Sequence, residues 1–123
     1  MLTSLRPVSL AILCTLGATS ALASPAKVKK AEFLQGMYES GDQASLVEAL
    51  ALMEDAIEHP KVATDPNAVA LLGHLRLEAA KGASDIDGFT SAARDLSRAM
   101  RFGATGETRE QTMLDLRSVL GTL

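Results

Sequence analysis

Tryptophan is absent from the sequence, and its 123 residues include only three phenylalanines, one tyrosine and one cysteine. So few rings make a stacking platform for bases or sugars hard to assemble. The formal net charge of −3 also argues against general binding to nucleic acid, which requires a basic surface. No long segment alternates apolar and polar residues, and none is rich in β-branched residues, so β-strands are not expected.

The N-terminal segment has the three parts of a secretory signal peptide. Arg6 provides the positive charge, the stretch after it is largely apolar, and Ala21 and Ala23 have the small-x-small spacing of a cleavage site. We therefore expect residues 1–23 to be removed and residues 24–123 to be exported as one domain, to the periplasm or beyond it. The apolar stretch is short for a membrane span, and an uncleaved anchor is the alternative.

The single cysteine, Cys14, lies within the predicted signal peptide. The exported domain would therefore contain no thiol for a disulfide or a nucleophile, and its stability would come from helix packing alone. Membrane association is expected only through the signal peptide before it is cleaved.

The segment from Ser45 to His59 has the clearest helical pattern. Its apolar residues recur at i, i+3, i+4, i+7 and i+11 and form one stripe: Leu46, Ala49, Leu50, Met53 and Ile57. Ser45 and Glu48 have the spacing of a capping box, in which each side chain bonds the backbone amide of the other, and this predicts where the helix begins. Pro60 predicts where it ends.

Further helices follow from the same periodicity and from their terminal residues. The first is predicted from about Lys27 to Ser40. For the third helix, Asp65 is the expected N-cap, Pro66 the first helical residue and Gly82 the stop signal.

The fourth helix is predicted to start near Ser84 or Asp87 and to be closed by Gly103. Thr108 and Gln111 have the spacing of a second capping box, which would open the last helix. Three residues of that helix are expected to face inward, Met113, Leu116 and Leu120, and Val119 and Leu114 would widen that apolar stripe.

The predicted fold class is all-α, with about five helices joined by short loops. These helices would form stacked antiparallel hairpins with a C-terminal capping helix, or a small helical bundle. Six residues are expected in the core: Leu50, Met53, Leu72, Leu75, Phe89 and Leu96.

Two helices also share a spacing of small residues around one larger residue. The pattern is Ala49, Met53 and Ala56 in the second helix, and Ala92, Leu96 and Ala99 in the fourth, 43 positions later. The helices before them carry Leu34-Gln35-Gly36 and Leu72-Gly73. This arrangement resembles the tetratricopeptide repeat, although Arg76 stands where the second unit of that repeat would have a tyrosine.

The resemblance implies a stack of helical hairpins, closed by the last helix as a solvated cap. It also implies that the first helix of each unit lines a peptide-binding groove. The positions expected to face that groove are Lys29, Glu32, Asn67, His74 and Glu78. The alternative interpretation of these residues is an ordinary solvent-facing surface.

No constellation of residues indicates catalysis. His74 and Glu78 are four residues apart and supply at most two metal ligands, whereas zinc needs three or four, so we interpret them as a solvated polar pair and expect no metal or cofactor. The sequence has no nucleophile elbow around a serine and no glycine cluster with phosphate-loop spacing. An enzyme is therefore not expected.

Arg94, Arg98 and Arg101 form a basic strip along the predicted fourth helix. Arginine pairs with carboxylates in a bidentate way, so this arginine strip is a candidate site for an acidic partner. The alternative is an ordinary solvated face whose arginines pair with nearby acids such as Asp87 or Asp95.

Export, helical hairpins and the lack of a catalytic constellation favour an interaction module that binds another envelope protein or a peptide. Two alternatives remain open at this stage. One is a small exported inhibitor or immunity-type protein that neutralises an enzyme. The other is a helical bundle that binds a small ligand in an apolar pocket between its third and fourth helices.

Overall fold

The computed structural model describes residues 24–122, which form six α-helices. In chain order these are α1 (Ser24–Glu39), α2 (Ala44–Ala56), α3 (Pro60–Ala63), α4 (Pro66–Ala83), α5 (Ile86–Arg101) and α6 (Gly106–Thr122). The predicted all-α class is confirmed, and the one-turn α3 is a further short helix between the helix predicted to end at Pro60 and the one predicted to begin at Pro66. The predicted signal peptide lies outside the described residues. Within residues 24–122, no helix has both the length and the apolar character that a membrane span needs.

The ends of α4 and α5 are set by aspartates and by one strained serine. Asp65 Oδ1 accepts a hydrogen bond from the backbone N–H of Asn67 at 3.1 Å, which confirms the predicted N-cap. Asp85 caps α5 in the same way through the N–H of Asp87. Between the two helices, Ser84 adopts the left-handed conformation with φ of 52°, so α4 ends there and not at Gly82.

Neither predicted capping box is formed. Helix α2 begins at Ala44, and the hydroxyl of Ser45 is buried and donates to Asp42 Oδ2 at 2.8 Å. Thr108 lies inside α6, where its carbonyl oxygen accepts a hydrogen bond from the Thr112 hydroxyl at 2.6 Å. The capping-box motif spans only four residues, so it also occurs by chance inside helices that begin further upstream.

The helices pack as antiparallel hairpins in the order of the chain. Helices α1 and α2 form the first hairpin and α4 and α5 the second, while α2 packs on α4 and α5 packs on α6. Helices α1, α4 and α6 also contact one another in sequence, α1 with α4 and α4 with α6. The hairpins therefore stack side by side, and α1, α4 and α6 lie along the same side of the stack.

Small residues bring the helices of each hairpin close together. All four alanines of the repeated pattern, Ala49, Ala56, Ala92 and Ala99, have no exposed surface. Five of the six predicted core residues are buried, and the sixth, Leu50, is partly buried against the first core cluster. Burial of this apolar surface is the main stabilising contribution to the fold.

The predicted register of α6 is wrong. Its buried residues are Thr112, Asp115 and Val119, whereas Met113 and Leu120 are exposed and Leu116 is only partly buried. Apolar side chains alone could not indicate this register, because two of the three buried positions are polar and their hydrogen bonds are satisfied inside the protein. The outward face of α6, expected to be a solvated cap, therefore carries exposed apolar residues.

Candidate functional site

A cleft of about 400 Å³ opens between α1, α4 and α6. These are the helices that follow one another along one side of the stack, so the cleft arises from the way the hairpins are stacked. Helix α1 contributes Glu32 and Gln35 to its walls, and α4 contributes Asn67 at one end. We call this feature the α1–α4–α6 cleft.

The apolar part of the cleft is small. Ala70 and Leu71 of α4 line it, Ala70 buried and Leu71 partly buried. The wall formed by α6 is entirely polar and consists of Glu107, Thr108, Gln111, Thr112 and Asp115. Such a mixture of a short apolar surface and converging polar groups is typical of a binding site.

A buried hydrogen-bonded pair joins two walls of the cleft. His74 Nδ1 on α4 lies 2.8 Å from Asp115 Oδ2 on α6, and Gln111 Nε2 donates to the other carboxylate oxygen at 2.9 Å. Both oxygens of this buried carboxylate are therefore satisfied. The bond to Asp115 holds the imidazole ring in one orientation at the cleft wall.

The protonation of His74 is set by its acidic surroundings. Burial opposes the charged imidazolium, but the hydrogen bond and negative charge of Asp115, together with the charges of Glu78 and Glu39, outweigh it. The pKa of His74 is therefore raised above its ordinary value of 6.5. The interpretation of His74 as a solvated residue is wrong, because its side chain is largely buried against α6.

The charged groups that line the cleft are mostly acidic. Glu32, Glu107 and Asp115 are carboxylates, no lysine or arginine is among the lining residues, and His74 is the one lining side chain able to carry positive charge. Three amide side chains, those of Gln35, Asn67 and Gln111, add donors and acceptors. Within residues 24–122, no three histidine, cysteine, aspartate or glutamate side chains come together in a way that would hold a metal ion.

The structure places only some of the predicted groove residues in the cleft. Glu32, Asn67 and His74 line it, whereas Lys29 and Glu78 do not. Glu78 instead forms an ion pair with Lys81, one turn further along α4, at 3.6 Å.

The arginine strip lies away from the cleft. Arg98 forms an ion pair with Asp95 at 3.7 Å and its guanidinium lies 5.7 Å from the ring centre of Phe102, so this arginine has partners within the protein. Arg94 and Arg101 are exposed. The structure therefore does not bring the three arginines together with Asn67 and His74 into one site.

Arg76, which occupies the position of the tyrosine in the repeat pattern, connects three helices. Its guanidinium lies 2.5 Å from Oδ2 of the buried Asp95 on α5 and 3.9 Å from Glu54 on α2. Without this arginine, Asp95 would be a buried charge held only by the longer contact to Arg98, which is strongly unfavourable. Arg76 therefore has a structural role on the side of α4 that faces α2 and α5.

Gln111, Thr112 and Asp115 line the cleft but were not predicted from the sequence to do so. Thr112, Asp115 and Val119 share one face of α6, and a buried polar residue can belong to such a stripe as readily as an apolar one. Because the predicted register of α6 was wrong, this face was not expected to line the groove.

Comparisons of the chain with known protein families, with curated proteins and with solved structures find no match.

Proposed function

We propose that this protein is an exported, non-catalytic interaction module that binds an extended segment of another envelope protein in the α1–α4–α6 cleft. The observation that carries the proposal is the position of the cleft. Three helices that lie side by side along one side of the hairpin stack supply its walls, and such stacks commonly use an extended surface of this kind for binding.

The side chains of the cleft suit a polypeptide in extended conformation. An extended segment has unpaired backbone N–H and C=O groups, and amide side chains such as those of Gln35, Asn67 and Gln111 can bond both. Leu71 and Ala70 offer a small apolar surface for one side chain of the ligand. A larger apolar pocket would instead favour a hydrophobic small molecule.

The proposal is tested by affinity capture of residues 24–123 from native envelope extract with three proteins. They are the unaltered domain, a cleft variant Asn67→Ala/Gln111→Ala and a strip variant Arg94→Glu/Arg101→Glu. We expect one specific partner that is captured by the unaltered domain and the strip variant and lost by the cleft variant. A partner lost only by the strip variant would place binding on α5 and overturn the proposal.

The strip variant is chosen so that it leaves internal ion pairs intact. Arg94 and Arg101 are exposed, whereas Arg98 contacts the buried Asp95 and its replacement would disturb the fold. Circular dichroism of both variants should match the unaltered domain, so that a loss of capture reports binding. The melting temperature of the cleft variant should be modestly lower, because Gln111→Ala removes a hydrogen bond to the buried Asp115, and capture is therefore carried out well below that temperature.

A small-ligand function is the second candidate, favoured by the size of the cleft. Its volume of about 400 Å³ lies within the range of small-molecule sites. A ligand library screened by thermal shift tests this function, because a ligand of the folded state raises the melting temperature. A compound that does so for the unaltered domain and not for the cleft variant would favour this function over peptide binding.

A further inference from the structure

The distribution of charge in the first hairpin leaves the α1–α4–α6 cleft acidic. Two lysines of α1 form ion pairs across to α2, Lys27 with Asp55 and Lys30 with Glu48. Glu32, on the same helix, lines the cleft. The positive charges of these two lysines are thus directed to the hairpin partner, while a negative charge faces the opening.

We propose that the extended segment bound in the cleft presents a lysine or arginine side chain. Its cationic head would pair with Glu32 and Glu107, and its alkyl stem would lie along Leu71. This inference rests on the proposed function and adds the charge of the ligand to it. Complementary charge of this kind sets which partner is accepted more than how tightly it binds.

The pKa of His74 responds to the negative potential at its own end of the cleft, beside Asp115. The acidic groups that act on His74 are Asp115 from α6, Glu39 from α1 and Glu78 on α4 itself, whereas Glu32 and Glu107 line the cleft further along α1 and α6. Asp115, Glu78 and Glu39 raise the pKa of the imidazole in spite of its burial. Surroundings that favour a proton on His74 also favour a cation supplied by a ligand.

A ligand cation and the proton on His74 would compete. When His74 is protonated, its charge offsets that of Asp115 and repels a bound lysine, so the affinity for a cation should increase as the pH rises through the pKa of His74. By reciprocity, binding of the cation should lower that pKa. A neutral ligand would show neither effect.

The test uses the folded domain, residues 24–123, labelled with ¹⁵N and titrated with three short peptides. Each is a capped glycine peptide with one central residue: lysine, glutamine or glutamate. We expect the lysine peptide to shift the backbone amide signals of Ala70, His74 and Gln111 at lower concentration than the other two. We also expect its affinity to be higher at pH 8.5 than at pH 6, and this pH dependence to vanish in His74→Gln.

Matched variants identify the carboxylates that bind the lysine side chain of the peptide. Glu32→Gln and Glu107→Gln should each weaken binding of the lysine peptide by about twofold to fivefold, the range of a solvent-accessible ion pair. Glu110→Gln is the control. Glu110 is exposed on the same helix as Glu107 but does not line the cleft, so its substitution should leave the affinity unchanged.

The outcomes separate this inference from the proposed function. Equal shifts of the cleft signals with all three peptides would overturn the inference and leave a peptide-binding cleft in place. Preference for the glutamate peptide would also overturn it. No shift of the cleft signals with any peptide would contradict both the inference and the proposed function.

Discussion

Gly73 of α4 lies against Leu96 of α5 so closely that a Cβ atom on Gly73 would stand 2.8 Å from Cγ of Leu96. The backbone nitrogen of Leu96 would be only 3.1 Å away, so a rotation of the leucine side chain would not relieve the contact completely. The two helices of the second hairpin therefore approach each other closely at this point. Gly73 and Leu96 are also the glycine and the large residue of the repeated pattern.

Gly73→Ala should therefore destabilise the protein, although alanine is the better helix former. Overpacking of a tight contact costs about 1–3 kcal/mol, and the gain in helix propensity offsets at most about 1 kcal/mol. Urea unfolding should show a lower free energy of unfolding. The matched control is Gly36→Ala in α1, where a Cβ meets open space, and it should raise that free energy by about 0.5–1 kcal/mol. Equal effects of the two substitutions would show that α4 and α5 are not in close contact at Gly73.

Leu72→Ala tests the core between the hairpins. Leu72 is 2% exposed and belongs to the cluster that joins α1, α2 and α4, so its truncation should cost about 2–5 kcal/mol. Leu114→Ala on α6 is the control, because 57% of Leu114 is exposed and its loss should change stability by less than about 0.5 kcal/mol. A cost below about 1 kcal/mol for Leu72→Ala would mean that this residue is not in the core.

The register of α6 is tested by two neighbouring residues. Val119 has no exposed surface and Leu120 is 67% exposed, so Val119→Ala should cost about 1–2 kcal/mol and Leu120→Ala less than about 0.5 kcal/mol. The apolar pattern of the sequence puts Leu120 in the main inward stripe and Val119 only beside it, and so predicts the opposite order. Chemical denaturation of the two variants decides between the two registers. A larger loss of unfolding free energy for Leu120→Ala would support the register predicted from the apolar residues.

The His74–Asp115 pair should make stability depend on pH in a defined window. Because the pKa of His74 is higher in the folded than in the unfolded state, its contribution is fully present below pH 6.5 and is lost as the pH rises through the folded-state value. The free energy of unfolding, measured with urea at pH 5.5 and pH 8.5, should therefore fall with pH.

Two variants identify the residue responsible for this pH dependence. Asp115→Asn removes the charge that raises the pKa of His74 and should reduce the dependence markedly. His59→Asn is the matched control: His59 accepts a hydrogen bond from the Lys61 N–H, an N-cap role that asparagine can take over, so the dependence should persist. If His59→Asn removed it and Asp115→Asn did not, the assignment to His74 would be wrong.

The sequence predicted the helices well where their buried stripes are apolar. In α2, α4 and α5 the buried residues repeat at helical spacing and are almost all apolar, so periodicity located the helices and five of the six core residues. The beginnings of helices were less predictable, because Ser45 and Thr108 match a motif only four residues long. Asp65, supported by Pro66, was correctly assigned.

The cleft was only partly predictable, because one of its walls depends on a contact between residues far apart in the sequence. Glu32, Asn67 and His74 were predicted to face a groove through the resemblance to a hairpin repeat, and in the structure these three residues line the α1–α4–α6 cleft. The α6 wall was missed because Asp115 is buried by a bond to His74, 41 residues away in the sequence. A partner at that distance cannot be inferred from local periodicity.

Site-specific photo-crosslinking tests most directly the claim that the α1–α4–α6 cleft is the binding surface. A photoreactive phenylalanine derivative would replace Gln35 at the cleft wall in one protein and the exposed Arg101 on α5 in another, each in native envelope extract. We predict one defined crosslinked protein from position 35, suppressed by excess unlabelled domain, and none from position 101. A competed crosslink from position 101 with none from position 35 would contradict the claim.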